Sequence, residues 1–245
     1  MPVHINLNTG MNRLGFEVSD HLEIERIIAE SDLTVATVYS HLAGSDNHCL
    51  DEKTPKQLEI FDAVCSKFSF PFKRHILNSS GVARFPDRKY DYVRVGLCLL
   101  GLDESRKEWG LEPAVSFKTI VTQIRRLSAG EGLSYGFTGA ESSDRDIAWL
   151  PVGYADGYPR CLGNGIGYVF IKGVYAKSVG RVCMGLVAID VTGLGVVEGE
   201  EVELFGRNLC VIELAKKAET ICFLTLLGKF WLHFEVILAL IWPLI

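Results

Sequence analysis

The sequence predicts an α/β region followed by a mostly β region, and two patterns support this fold class. Up to about Leu102, apolar β-branched runs alternate with amphipathic helical runs, which is typical of parallel strands joined by right-handed crossovers. After Leu102, short strand-like runs are separated by glycine-rich turns, which is typical of a β domain. We therefore expect two kinds of architecture in one chain.

The first region is predicted to be β-α-β-α-β-β with room for a short helix. Ser19 and Asp20 can cap a helix that continues to about Glu30, and Pro55 can open a second helix because a proline needs no N–H partner in the first turn. The strands are predicted at residues 3–7, 33–39, 72–77 and 92–95. In such folds, functional residues lie on loops that leave the carboxyl ends of the strands.

The second region carries shorter strands and one helix. The strands are predicted at residues 115–126, 146–152, 167–171, 174–182, 186–191 and 201–205, and the helix at 209–218. We therefore divide the chain into domains at residues 1–105 and 106–221, followed by an atypical apolar tail at 222–245. The tail contains Lys229, His233 and Glu235, which argues against a membrane span. A buried terminal strand or helix and a stretch of foreign sequence are the interpretations left open.

Composition excludes several classes of function. The 245 residues carry a net charge of −5, and their basic side chains are spread among acidic ones, so we expect no nucleic-acid partner. The seven cysteines lack CxxC spacing, and the N-terminus shows no signal-peptide pattern, which favours a cytoplasmic protein with reduced thiols. The histidines show no ligand spacing, so no metal site is expected.

Polar motifs interrupt the apolar pattern at the ends of the predicted strands. They occupy residues 8–15 (NTGMNRLG), 40–43 (SHLA), 78–81 (NSSG) and 93–96 (VRVG). Because the carboxyl ends of parallel strands meet on one side of an α/β fold, we expect these motifs to form one binding site.

Five motifs, in order along the chain, resemble those of the bacterial alanine racemase family. They are residues 8–15, 40–46 (SHLAGSD), 130–136 (GEGLSYG), 151–160 (PVGYADGYPR) and 179–184 (VGRVCM), and the resemblance covers roughly residues 3–214. It implies an isomerase that interconverts L-alanine and D-alanine through a pyridoxal 5'-phosphate aldimine and supplies peptidoglycan precursors. It also implies a homodimer with shared active sites. Residues 1–105 would be the C-terminal half of a TIM-like barrel, with about its last four strands, followed by a β domain.

The resemblance implies roles for residues of the first region. Arg13 would contact the phenolic oxygen of the cofactor and the substrate carboxylate, His41 would lie against the pyridine ring, and Arg94 would donate to the pyridine nitrogen. The phosphate would be held by Asn78, Ser79, Gly96 and Leu97. Consecutive backbone N–H groups in a Ser/Gly turn form an anion-binding nest, which agrees with this last role.

Residues of the second region would complete the site. Tyr135 would be the catalytic acid/base, supplied across the dimer interface, and Met184 would place its backbone amide near the substrate carboxylate. Tyr154 and Arg160 would line the substrate entry. Taken singly, each of these residues also suits an ordinary packing or ion-pairing role; the shared motif context favours the site.

The chain also departs from the family pattern. The family lysine that tethers the cofactor lies on the first barrel strand, and no lysine here matches its motif, so we predict that the chain alone is inactive. Asn6 and Asn8 replace a modified lysine and an aspartate, which weakens the expected support of Arg13. The alternatives are a catalytically silent fragment that associates with an intact racemase subunit, and a related amino-acid racemase. Four strands cannot close a barrel, so an open sheet edge is expected.

Overall fold

A computed structural model describes residues 1–102 and 109–220. The chain divides into two compact units, the first ending at Leu111 and the second beginning at Glu112. The apolar tail predicted at 222–245 lies outside the described residues. Among the described residues, no helix is both long enough and apolar enough to cross a membrane.

The first unit contains a parallel three-stranded sheet in the order β1-β2-β3. Its strands are β1 (Pro2–Asn6), β2 (Thr34–Tyr39) and β3 (Lys73–His75). Its helices are α1 (His21–Ala29), α2 (Lys53–Cys65) and α3 (Ser79–Arg84), with short 3₁₀ turns at Val18–Asp20, His48–Leu50 and Leu97–Leu100. The predicted α/β class of this region is confirmed.

The helix starts follow local chemistry. Asp20 accepts the backbone N–H of Glu17 at 2.9 Å, which fixes the turn before α1. α2 begins two residues before Pro55, so the proline lies inside the first turn, where its missing N–H breaks no helical hydrogen bond. The buried positions of α2 include Leu58, Phe61 and Val64, whose spacing places them on one helix face.

The two faces of the first sheet differ in chemistry. The apolar face packs under the helices, with a core of buried residues Ile5, Leu7, Ile24, Val35, Val38, Leu42, Leu58, Phe61, Val64, Cys65, Ile76 and Leu77. The alternate positions on the strands are polar or aromatic and contact one another: His4, Thr37, Tyr39 and His75. β1 and β3 are the outer strands of this sheet, and Phe16 pairs with Leu7 just beyond the end of β1.

The strand predicted at residues 92–95 is not formed. Tyr92 donates to the carbonyl of Arg74 at 3.2 Å and Arg94 donates to that of Leu77 at 2.9 Å. The two donors are two residues apart, whereas their acceptors are three residues apart. The even spacing of hydrogen bonds in a parallel ladder is therefore lost. The prediction of a fourth strand was wrong, although this segment still runs along the continuation of β3.

The second unit is a seven-stranded antiparallel sheet with one helix. The strands are β4 (Phe117–Ile120), β5 (Gln123–Leu127), β6 (Arg145–Leu150), β7 (Tyr168–Ile171), β8 (Val174–Val179), β9 (Val187–Asp190) and β10 (Glu201–Phe205), and the helix is α4 (Val211–Lys217). Their order is β4-β10-β7-β8-β9-β6-β5. The predicted β class of this region is confirmed.

This sheet curls so that its two ends meet in one bent strand. β4 and β5 stand at opposite ends of the sheet order, yet only Val121 and Thr122 separate them. Val121 donates to Glu200 beside β10, and Thr122 donates to Trp149 of β6. The single strand predicted at 115–126 is therefore two strands, because its halves pair with different neighbours.

Candidate functional site

Arg94 is the centre of a hydrogen-bonded cluster in the first unit. One guanidinium nitrogen, Nη1, contacts Nδ1 of His75, and the other, Nη2, donates to the carbonyl of Ser40 at 2.7 Å and lies 3.1 Å from Nδ1 of His41. The guanidinium also lies over the ring of Tyr39, 5.6 Å from its centre. Arginine has no acceptor and stays charged, so both imidazole nitrogens must accept.

Both imidazoles beside Arg94 are held neutral. Burial lowers the pKa of His41, and the positive charges of Arg94 and Arg13 lower it further. Burial, together with Arg94 and His4, lowers the pKa of His75 to about 4. Burial also lowers the pKa of Arg94 from its ordinary value. The cluster is a cation surrounded by neutral acceptors, which leaves its charge available to a ligand.

The turn that carries His41 is fixed from two sides. Ser40 Oγ donates to the carbonyl of Leu7 at 2.7 Å and contacts Thr9 Oγ1 at 2.8 Å. The buried amide of Gln57 accepts the backbone N–H of Ala43 at 2.9 Å and donates to the carbonyl of His41 at 3.2 Å. Sequence reasoning missed Gln57, although a polar residue on the buried face of α2 was a signal.

The loop that carries Arg13 is organised by Asn8. The side-chain oxygen of Asn8 accepts the backbone N–H groups of Gly10 and Asn12 at 3.2 and 2.9 Å, and its nitrogen donates to Glu17 at 2.9 Å. Asn8 therefore shapes the loop that carries Arg13. The side-chain nitrogen of Asn6 donates to the carbonyl of Leu14, at 3.1 Å. Arg13 lines a cavity of about 210 Å³ together with Asn8 and Glu17.

Ser79 and Asn78 form a turn of converging backbone N–H groups. Asn78 caps α3 by accepting the N–H of Gly81 at 2.9 Å, and Ser45 donates to the same oxygen at 2.7 Å. Ser79 Oγ accepts the N–H of Gly96 at 3.0 Å. A Cβ on Gly96 would meet no atom within 4 Å, so open space lies beside this turn.

Leu97 begins the 3₁₀ turn Leu97–Leu100, with Gly96 as its N-cap. The turn accepts the backbone N–H of Leu102 through the carbonyl of Leu97 at 2.9 Å. The N–H of Cys98 also points toward Ser79 Oγ, at 3.5 Å. The phosphate residues predicted from sequence are thus brought together, and the neighbouring amide of Cys98 was missed.

In the second unit, the loops that carry Tyr135, Tyr154 and Met184 lie together. Ser134 Oγ contacts Sγ of Cys183 at 3.3 Å, which links the Tyr135 turn to the Met184 loop. The N–H of Tyr154 donates to the carbonyl of Cys183 at 3.1 Å. A Cβ on Gly153 would lie 2.2 Å from that carbonyl, so only glycine permits the approach.

Arg160 belongs to the next turn of the same surface. It begins the 3₁₀ turn Arg160–Leu162, and the following Asn164 donates to the carbonyl of Gly180 at 2.7 Å, on the loop that leads to Met184. The side chains on this surface are exposed: Tyr135 at 69%, Phe137 at 82% and Met184 at 63%. Leu186 is 42% exposed, and its carbonyl accepts the N–H of Cys183 on the same loop at 2.8 Å. We call Tyr135, Phe137, Met184 and Leu186 the exposed patch.

Comparison with known proteins identifies matches along nearly the whole chain. The family profile "Alanine racemase, N-terminal domain" matches residues 1–104, and "Alanine racemase, C-terminal domain" matches residues 114–228. The alanine racemase of Desulforamulus reducens is 37% identical over 232 residues, which are 89% of this chain and 62% of that relative. The alanine racemase of Symbiobacterium thermophilum is also 37% identical, over 90% of this chain and 62% of its own.

Solved structures show the same fold. Alanine racemase from Acinetobacter baumannii matches with a TM-score of 0.81 and 32% identity, covering 92% of this chain and 63% of that one. Alanine racemase from Bartonella henselae, solved with covalently bound pyridoxal phosphate, matches with a TM-score of 0.81 and 27% identity, covering 93% and 64%.

The chain spans about three fifths of the length of these relatives. Both domain profiles of one family follow each other here in the family order. The chain therefore belongs to the alanine racemase family.

Proposed function

We propose that this chain takes part in interconverting L-alanine and D-alanine with pyridoxal 5'-phosphate as cofactor. The observation that carries the proposal is the Arg94 cluster, in which the guanidinium is flanked by the neutral imidazoles of His75 and His41. The Ser79 turn lies beside this cluster, because Ser79 bonds to Gly96, two residues after Arg94. A supporting observation is the relative from Bartonella henselae, whose structure is described as holding pyridoxal phosphate.

The residues present fit this cofactor. Ser79 Oγ accepts the N–H of Gly96, so its own proton can be donated to a phosphate in the open space beside Gly96. His41 is partly buried and its pKa is lowered, which suits contact with an aromatic ring. Arg13 and His41 both line a small cavity of about 10 Å³, which places the two side chains near each other. When bound, pyridoxal phosphate supplies the conjugated ring that withdraws electrons from the α-carbon of an amino acid.

Arg94 determines how strongly that ring can withdraw electrons. A guanidinium donates a hydrogen bond to a pyridine nitrogen but does not readily give up its proton. The ring nitrogen would stay unprotonated, so negative charge at the α-carbon would be weakly stabilised. Weak stabilisation favours prompt reprotonation, and therefore racemisation over side reactions such as transamination.

Tyr135 is proposed as one of the two proton-transfer groups. Racemisation removes a proton from one face of the α-carbon and returns one to the other face, so it needs a group on each side. The hydroxyl of Tyr135 stands on an exposed turn, which suits delivery into the site of a second subunit in a homodimer. Met184 would contribute its backbone amide to the substrate carboxylate, and Tyr154 and Arg160 would line the entry.

The group for the opposite face is the cofactor-tethering lysine of the family, which matches no lysine among residues 1–245. The first experiment titrates the purified chain with pyridoxal 5'-phosphate and then adds borohydride. We expect saturable binding, weakened at least about tenfold by Arg94→Met and Ser79→Ala, with no borohydride-stable adduct at any one lysine. Equal binding by parent and variants would remove these residues from the site.

The second experiment tests the reaction. The chain is joined to the barrel strands of a matched relative, and deuterium exchange at the α-carbon of alanine is measured in both directions. We expect Tyr135→Phe to slow exchange of one enantiomer far more than that of the other. Comparable exchange by Tyr135→Phe and its parent would contradict the assigned role. Activity of this kind would supply D-alanine for peptidoglycan.

A second candidate function is binding to an intact racemase subunit without catalysis. The exposed patch favours it, because apolar side chains gathered on one surface mark interaction sites. Co-purification with a racemase subunit, without any alanine exchange by the joined chain, would select this alternative. Five described cysteines are free thiols, which supports a reducing cytoplasm as the location in either case: Cys49, Cys65, Cys161, Cys183 and Cys210.

A further inference from the structure

Thr37 bridges two histidines on the polar face of the first sheet. Its hydroxyl lies 2.8 Å from Nδ1 of His4 and 3.2 Å from Nε2 of His75. Thr37 is 7% exposed, so this hydroxyl depends on protein partners rather than on water. The register of the sheet produces the bridge, because Thr37 on β2 stands opposite His4 on β1 and Lys73 on β3, two residues before His75.

Arg94 fixes the direction of the hydrogen bonds that run through His75. The guanidinium can only donate, so Nδ1 of His75 accepts and the neutral ring carries its proton on Nε2. That N–H then donates to the hydroxyl of Thr37. The hydroxyl of Thr37 also lies 2.8 Å from Nδ1 of His4. The order of donation is Arg94, His75, Thr37.

We propose that Thr37 is a positioning residue for Arg94. By accepting from Nε2 of His75, the Thr37 hydroxyl holds the imidazole in the tautomer whose Nδ1 faces the guanidinium. The ring is further fixed by stacking on Tyr39, 5.1 Å between ring centres with planes 6° apart. Without the hydroxyl, the partly buried Nε2–H would lose its acceptor, and the ring would turn to find another.

This inference deepens the proposed function, since Arg94 is the group proposed to contact the pyridine nitrogen. Thr37 touches neither cofactor nor substrate in this arrangement. Its effect passes through His75 to the guanidinium, whose other nitrogen is fixed independently by the carbonyl of Ser40. Loss of Thr37 should therefore free one side of the guanidinium and leave the other in place.

The test compares Thr37→Val, which keeps the shape and removes the hydroxyl, with Thr37→Ser, which keeps the hydroxyl. Nitrogen NMR of the full chain reports the tautomer of His75, and hydrogen exchange reports the Arg94 side-chain protons. In the parent we expect a protonated Nε2 and an unprotonated Nδ1. Thr37→Val should speed exchange at Arg94 about tenfold, and Thr37→Ser should stay within about twofold of the parent.

A matched control separates positioning from general loosening. The backbone amide of Phe61, in the buried part of α2, should exchange within about twofold of the parent in both variants. A parent His75 protonated on Nδ1, or Arg94 exchange in Thr37→Val within twofold of the parent, would overturn the inference. If Thr37→Val does not fold, the parent tautomer and the Thr37→Ser exchange decide the question.

These readouts contain no cofactor, so they do not depend on the proposed function. Titration with pyridoxal 5'-phosphate is the additional arm. Failure of the parent chain to bind it would count against the proposed function, while the NMR result would still decide the role of Thr37. Weaker binding by Thr37→Val, restored in Thr37→Ser, would support both.

Discussion

The candidate residues of the two units differ in how far their side chains are buried and hydrogen-bonded within their own unit. In the first unit, Arg94 and Ser79 are satisfied by hydrogen bonds from their own unit, and Ser79 is 8% exposed. In the second unit, Tyr135 and Met184 are more than half exposed, although their loops are tied together by backbone hydrogen bonds. The first group is held in place by its own unit, whereas the side chains of the second are open to solvent.

The largest effect should come from removing the centre of the first cluster. Arg94→Met leaves the nitrogen of His75 and the carbonyl of Ser40 without their donor. Since hydrogen bonds to charged groups are worth about 1.5–3 kcal/mol, we expect a loss of about 2–3 kcal/mol in the free energy of unfolding, measured with urea. The matched change Arg125→Met, at an exposed position of β5, should stay within about 0.5 kcal/mol. Equal losses of unfolding free energy in the two variants would contradict the idea that Arg94 is held more firmly than an exposed arginine of the second unit.

A smaller effect is expected at the turn that carries Ser79. Asn78→Ala removes the cap of α3 and the partner of Ser45, which should cost about 1 kcal/mol in the same urea measurement. Asn78→Asp keeps an acceptor for the N–H of Gly81 and serves as the control. A stable Asn78→Ala that still binds pyridoxal 5'-phosphate as the parent does would show that this turn is not essential to the site.

The stability of the first unit should depend on pH through His75. Its pKa is about 4 in the folded protein and would return to its ordinary value near 6.5 on unfolding. The unfolded chain therefore binds more protons between these values, so stability is full above about pH 6.5 and falls as the pH drops toward 4. His75→Gln should flatten this part of the urea-midpoint curve. A slope unchanged in the variant would assign the effect to other groups.

The smallest effect on stability, and a clear effect on association, should come from the exposed patch. Phe137 is 82% exposed and has a left-handed backbone with φ of 48°, which a bulky residue rarely adopts. Phe137→Asn should leave the free energy of unfolding within about 0.5 kcal/mol, because asparagine tolerates this conformation. Self-association of the chain, measured by sedimentation, should weaken. Unchanged association would show that Phe137 takes no part in it.

Much of the fold follows from local sequence patterns. The strand at 201–205 and the helix around Val211–Lys217 are predicted by apolar spacing alone, because each lies in a simple local environment. The break at Val121 and the missing strand at 92–95 were not predictable in this way. Both depend on which neighbour each half of a segment pairs with, and pairing is a property of the assembled sheet.

The candidate site shows the same division. Motif spacing brings His41, Ser79 and Arg94 to one region, because strand ends converge in a parallel sheet. It does not reveal His75 or Thr37, whose importance lies in the direction of their hydrogen bonds across three strands. It also does not reveal how Asn8 acts: its amide donates to Glu17 and accepts from Asn12, and so organises the loop that carries Arg13.

The bent strand that begins and ends the second sheet has a consequence for how that unit tolerates insertion. The hairpin at Lys172–Gly173, where both residues have positive φ, lies between two strands that remain paired whatever is added there. Extra residues between Val121 and Thr122 would instead let β4 and β5 separate, so that the curled sheet would open and expose both of its edge strands. Val121 and Thr122, which interrupt the strand, therefore hold the two ends of the sheet together.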